Sequence, residues 1–165
     1  MDRALRKERS ALTLSGIGAM LLGIWAFVRI VLSNLFAANY VQNAFGFDSA
    51  TPEMKAVSLG LWILGGFLGM LLDLYVGIRA AREGKTGIRQ RGYLPLAVLL
   101  LAANSLMSLG CLVSYSIFRG NVLDFVSELA QAFARAVNYA VLLRTAWQVR
   151  KLLRIREREV ASHAD

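Results

Sequence analysis

The chain has 165 residues, 56% of them hydrophobic, and a formal net charge of +8. A water-soluble domain of that apolarity would aggregate, so composition excludes an ordinary soluble fold and points to one membrane domain spanning residues 1–165. Apolar stretches of 18 or more residues are read as membrane spans, because ~20 helical residues cross ~30 Å of hydrocarbon. Four such stretches predict an all-α polytopic protein, a four-transmembrane-helix bundle.

The first span is expected over 10–36. Arg3, Arg6, Lys7 and Arg9 precede it, a basic start that resembles a signal peptide. The apolar run outlasts a typical h-region, carries Arg29 and lacks an A-x-A exit, so it reads as a retained span. Asn39, Gln42, Asn43, Gly46 and Asp48 then mark a polar connection. Thr51-Pro52-Glu53 announces a helix: threonine caps free amides, proline fits the first helical position, and glutamate suits the positive end of the helix dipole. The second span is expected over 55–77.

Between 79 and 92, five basic residues and three glycines accompany one acid, Glu83, which reads as a solvated basic loop. The third span is expected over 93–118, with Pro95 tolerated in its first turn. Arg119-Gly120-Asn121 forms a tight turn into the fourth, over 122–149, whose hydrophobicity is diluted by Asp124, Glu128, Arg135 and Arg144. A basic tail over 150–165 is expected to continue as helix through Arg156, then to fray through Ser162-His163-Ala164-Asp165.

Orientation follows from the cations, since short cytoplasmic flanks retain Lys and Arg. One side has Arg3, Arg6, Lys7 and Arg9, then Arg79, Arg82, Lys85, Arg89 and Arg91, then Arg144, Arg150, Lys151, Arg154, Arg156 and Arg158. The other has Lys55 and Arg119, so the ratio is fifteen to two. Both termini are therefore expected in the cytoplasm, with the protein in a plasma membrane. The same asymmetry argues that the fourth span inserts, because otherwise its basic tail would be stranded outside. Trp25, Trp62, Trp147, Tyr40, Tyr75 and Tyr93 include several near span ends, where amphipathic rings suit the interface.

The fourth span carries Asp124, Glu128, Gln131, Arg135, Asn138 and Thr145 at steps of three, four and seven, which keep to one helix face. In hydrocarbon that stripe must turn inward, since a mid-bilayer charge costs at least ~2.5–3.5 kcal/mol. Val126, Leu129, Phe133, Val137 and Val141 form the opposite face. Facing stripes are Ser15, Gly18, Ala26, Arg29 and Ser33 in the first span, Gly65, Gly69, Asp73 and Gly77 in the second, and Asn104, Ser108, Cys111 and Tyr115 in the third. Depth, at ~1.5 Å per residue, predicts a ladder: Arg29 with Glu128, Arg135 with Asn104, and Asp73 with Arg135 or Arg144.

The candidate seam is thus Arg29, Asp73, Asn104, Glu128, Gln131, Arg135 and Asn138. Intramembrane ionisable groups mark transport routes in some proteins and fix helix register in others. Candidate anionic-lipid contacts are Arg79, Arg82, Lys85, Arg89, Arg91, Arg150, Lys151 and Arg154. No GxSxG, HExxH, CxxC or P-loop motif occurs. Cys111 is lone, and the single histidine, His163, has no second ligand near it, so neither a metal nor another cofactor is expected. The two hairpins show no persuasive internal repeat. The expected function is an accessory, assembly or scaffold component of a membrane complex. The alternative is a small oligomeric transporter or channel for an ion or polar solute, with a membrane-embedded enzyme third. Expected partners are membrane lipid and either further copies of the chain or another membrane protein, not nucleic acid.

Overall fold

The computed structural model describes residues 2–36, 52–90, 92–118 and 122–162. The polar connection from Asn39 to Asp48, Tyr40, Thr51, Arg91, the Arg119-Gly120-Asn121 turn and His163 lie outside the described residues. So do the side chains of Lys55, Cys111, Tyr115, Asp124 and Arg158.

The described residues form four helices: α1 (Asp2–Phe36), α2 (Pro52–Thr86), α3 (Tyr93–Phe118) and α4 (Val122–Ser162). Helix is the conformation that satisfies every backbone amide within one segment, which an apolar surrounding demands. Pro52 opens α2 at the one position where its missing N–H is harmless. Among the described residues, three segments are long and apolar enough to cross a membrane: Arg3–Ser33, Leu59–Thr86 and Tyr93–Gly110.

The solvated loop expected over 79–92 is shorter than that. The apolar pattern stops at Gly77, yet α2 runs on to Thr86. Loss of apolar residues marks the exit from hydrocarbon and not the end of a helix, and Arg, Ala, Glu and Lys all favour helix. Gly87 ends it: at φ 72° it lies in the left-handed region, and its amide donates back to the Glu83 carbonyl at 2.9 Å. Arg9 of α1 caps the same end, donating to the carbonyls of Gly84 (2.9 Å) and Lys85 (2.5 Å), two of the four carbonyls a helix end leaves orphaned.

α1 packs along α2, α4 lies against α1 and α3, and α2 meets α3 only sparsely. Between α1 and α2 the partners step in opposite directions: Arg9 with Gly84, Gly16 with Gly77, Gly23 with Asp73, and Ile30 with Gly66. The α1 members recur every seven residues, the interval that keeps a seam facing one neighbour. Glycine is required there because the backbones touch. A Cβ on Gly16 would stand 2.7 Å from the Gly77 carbonyl oxygen, and one on Gly77 would stand 2.5 Å from that of Gly16. Further along, Phe27 and Phe67 meet edge to face at 5.7 Å.

Among the described residues, burial is concentrated at one end. Leu12, Val76, Ala80, Tyr93, Ala97, Leu142, Ala146 and Val149 are wholly enclosed, and all lie toward the α1 start, the α2–α3 turn and the second half of α4. At the other end Leu61, Leu64, Leu68, Leu106, Met107 and Leu109 are exposed. Gly65 and Gly69, expected to line the seam, meet nothing within 4 Å, whereas Gly66 packs against Ile30. Four-residue spacing identifies a small face without saying which neighbour it faces.

The crossing and the open face give opposite signs for one substitution. Gly16→Ala and Gly77→Ala should lower stability by about 1–3 kcal/mol through overpacking. Gly60→Ala and Gly65→Ala, with open space around them, should raise it by about 0.5–1 kcal/mol through helix propensity. Unfolding of the purified protein in detergent measures both, and equal effects at all four positions would remove the close crossing.

Candidate functional site

A ladder of polar contacts runs along the bundle. Its first rung joins α1 to α4. Arg29 donates to Gln131 Oε1 at 2.7 Å and Ser127 Oγ at 2.9 Å, and lies 3.7 Å from Glu128. Both members of that ion pair keep some exposure, 23% for Arg29 and 41% for Glu128.

The second rung joins helices that run the same way, α2 and α4. Asp73 is fully buried on α2, ion-paired with Arg135 and accepting a hydrogen bond from the Tyr139 hydroxyl. Arg135 and Tyr139 are four residues apart and therefore neighbours on one helix face. α1 closes the third side, since a Cβ on Gly23 would meet the Asp73 carboxylate at 2.8 Å. Glycine there is what lets α1 cover the carboxylate. One turn further on, Asn138 donates to the Ser15 carbonyl at 3.2 Å and lies against Gly18.

Arg135 and Asn104 do not pair. Asn104 is buried on α3 but donates to the Leu100 carbonyl of its own helix at 2.7 Å, and Ser108 follows by donating to the Asn104 carbonyl at 2.9 Å. Equal depth brings two residues level without turning them toward each other, and a carboxylate holds a guanidinium better than an amide does. Arg144 is exposed, so Asp73 belongs to Arg135. Thr145 turns back on its own helix, donating to the Val141 and Leu142 carbonyls.

The third rung was not apparent from the sequence. Glu83, read there as the lone acid of a solvated loop, is fully buried. Arg150 donates to both its oxygens, Nε to Oε1 at 2.8 Å and Nη2 to Oε2 at 2.9 Å, the bidentate geometry that suits guanidinium and carboxylate. Glu83 also accepts from the Gln90 amide at 2.9 Å, and Arg150 donates to the Gln90 carbonyl at 2.6 Å. Arg79 donates to Gln90 Oε1 at 2.7 Å, so three charged side chains tie the α2–α3 turn down. The Arg150 guanidinium stands 5.6 Å over the Tyr93 ring, and its hydrogen bonds to Glu83 raise its pKa further above the ordinary arginine value. Glu83 shares the face of Asp73, Val76 and Ala80 at steps of three and four, the signal that would have revealed it.

The candidate lipid contacts therefore divide. Arg79 and Arg150 are engaged inside the protein, while Arg82, Lys85, Arg89, Lys151 and Arg154 are exposed.

Removing one member of a buried pair strands the other. Arg135→Met alone should lower stability by about 3–5 kcal/mol, and the double change Asp73→Leu with Arg135→Met should recover most of that loss. Tyr139→Phe should cost about 1.5–3 kcal/mol, the worth of a hydrogen bond to a charged group. Unfolding in detergent reads all three, and a double variant no better than Arg135→Met would end the pairing. No protein-family model, curated protein or solved structure matches this chain, so the geometry alone carries the functional argument.

Proposed function

We propose that this chain is a four-span integral membrane protein with both termini in the cytoplasm, serving as an accessory, assembly or scaffold component of a membrane complex. The observation that carries the reading is the layer between the second and third rungs. There Val76 and Ala80 of α2, Leu142 and Ala146 of α4, and Leu12 of α1 are all fully enclosed. The buried hydroxyls of that stretch are those of Ser15 and Thr145, and Thr145 spends its own on the Val141 and Leu142 carbonyls of its helix, so an ion or proton route along the ladder would have to cross a layer that is mostly apolar. A ladder interrupted in this way suits the fixing of helix register better than conduction.

Insertion of α4 is supported by its two faces. Glu128, Gln131, Arg135 and Asn138 meet partners on α1 and α2. Val126, Phe133, Val137 and Val141 are 44–64% exposed, an apolar stripe suited to lipid or to another helix. Water would not tolerate the second face, and lipid would not tolerate the first uncovered. The exposed apolar surfaces at the open end leave room for helices of a partner.

Tags on the two ends should be accessible from the same, cytoplasmic compartment. Photo-crosslinkers placed at exposed Leu64 and Leu106 should capture a partner of fixed stoichiometry in native membranes, and reconstituted protein should show no solute flux that Asp73→Asn abolishes. An Asp73-dependent flux from a correctly folded protein would overturn the scaffold reading in favour of transport.

A further inference from the structure

The antiparallel register of α1 and α4 has a consequence at their cytoplasmic ends. Arg29 meets Gln131, Ser15 meets Asn138, and the Gln148 amide, with its nitrogen toward Glu8, donates to both carboxylate oxygens at 3.0 and 2.7 Å. Each step back along α1 is a step forward along α4, so the helical segment before Glu8 lies beside the one after Gln148. The first holds Arg3, Arg6 and Lys7, and the second holds Lys151 and Arg154, all exposed. No ion pair joins any of these five to a carboxylate among the described residues, and Glu8 is turned to Gln148. Of the other cations of this end, Arg9 caps α2, Arg79 and Arg150 hold the α2–α3 turn, and Arg82, Lys85 and Arg89 on α2 and its turn and Arg156 further along α4 are exposed.

Two like-charged helix segments side by side repel unless an anion lies between or over them. Their depth decides which anion. Trp147 of α4 is 73% exposed, as suits an aromatic ring at the boundary between hydrocarbon and headgroups. Lys151 follows it by four residues and Arg154 by seven, about 6 and 10 Å along the helix, within reach of headgroup phosphates for side chains of this length. Acidic protein segments would be favoured by charge as well, but a surface set at this depth meets the leaflet first.

We propose that Arg3, Arg6 and Lys7 of α1, with Lys151 and Arg154 of α4, form a docking surface for the phosphate headgroups of anionic phospholipid in the cytoplasmic leaflet. The proposal rests on the four-span topology and not on the scaffold role. Binding of short-chain phosphatidylglycerol and phosphatidylcholine to the full-length protein in neutral detergent, read by native mass spectrometry and by thermal shift, tests it. Wild-type protein should bind phosphatidylglycerol about tenfold or more tightly than phosphatidylcholine, a preference that fades at high salt. Changing Arg3, Arg6, Lys7, Lys151 and Arg154 together to Gln should abolish the preference. Changing the exposed Arg82, Lys85 and Arg89 to Gln should leave it largely intact.

Equal binding of the two lipids by wild-type protein would overturn the proposal, as would an equal loss in both variants. Should the fivefold variant fail to fold, Arg6→Gln with Arg154→Gln serves in its place, and an unchanged preference there overturns the proposal equally. Tags on the two ends are mapped on the same proteins. Ends in different compartments would overturn the topology beneath the surface, whereas ends together without lipid preference would overturn the surface alone.

Discussion

The Asp73 carboxylate is the constraint around which three helices are arranged. A carboxylate taken out of water loses several kcal/mol of solvation, which is recovered only through a close countercharge and further hydrogen bonds. Arg135 and Tyr139 of α4 supply these, and Gly23 of α1 lets the third wall approach. α1 can come that close because Gly16 and Gly77 put backbone against backbone one crossing further on. In turn α4 can bury Arg135 only because α2 presents Asp73. Each helix is made acceptable to its surroundings by a residue on another.

That dependence concentrates order at one end of the molecule. The enclosed core, the capped end of α2 and the Glu83–Arg150–Gln90 network all lie toward the cytoplasmic ends of the proposed spans. At the opposite end the described residues include fewer enclosed side chains. Contacts there include the Arg29 rung, the packing of Gly66 on Ile30, and the Phe27–Phe67 pair. Local stability follows the density of buried contacts, so the open end is where helices can most easily adjust to a neighbour. The closed end acts as a rigid base for them.

The sequence made some of this arrangement legible and hid the rest for identifiable reasons. Period and depth together brought out Arg29, Asp73, Glu128, Arg135 and Asn138, because charges and amides inside apolar runs have few places to go. Tyr139 does not stand out in the sequence, since an aromatic ring reads as apolar, although its hydroxyl completes the Asp73 site. Glu83 was hidden by composition: surrounded by cations, it resembles a surface residue, and only the continuation of the α2 face past Gly77 reveals that it is enclosed. Gly65 and Gly69 misled in the opposite direction, because spacing records a ridge without recording which side of the helix is occupied.

Two pairs between parallel helices do what one cannot. Asp73 and Glu83 are ten residues apart on α2, while their mates Arg135 and Arg150 are fifteen apart on α4. Bringing Arg150 to Asp73 would require α4 to slide by fifteen residues, about 22 Å, which would carry its apolar stripe out of any bilayer. A slide the other way by ten residues, about 15 Å, would bring Arg135 to Glu83 but strand Asp73 and Arg150, and shorter slides break both pairs. Buried pairs are a weak source of net stability against well-packed apolar residues, but stranding their members is costly, so they select one alignment from many. On the proposed reading, in which the interior charges serve alignment, the exposed helix faces and the cationic end are what remain for recognition.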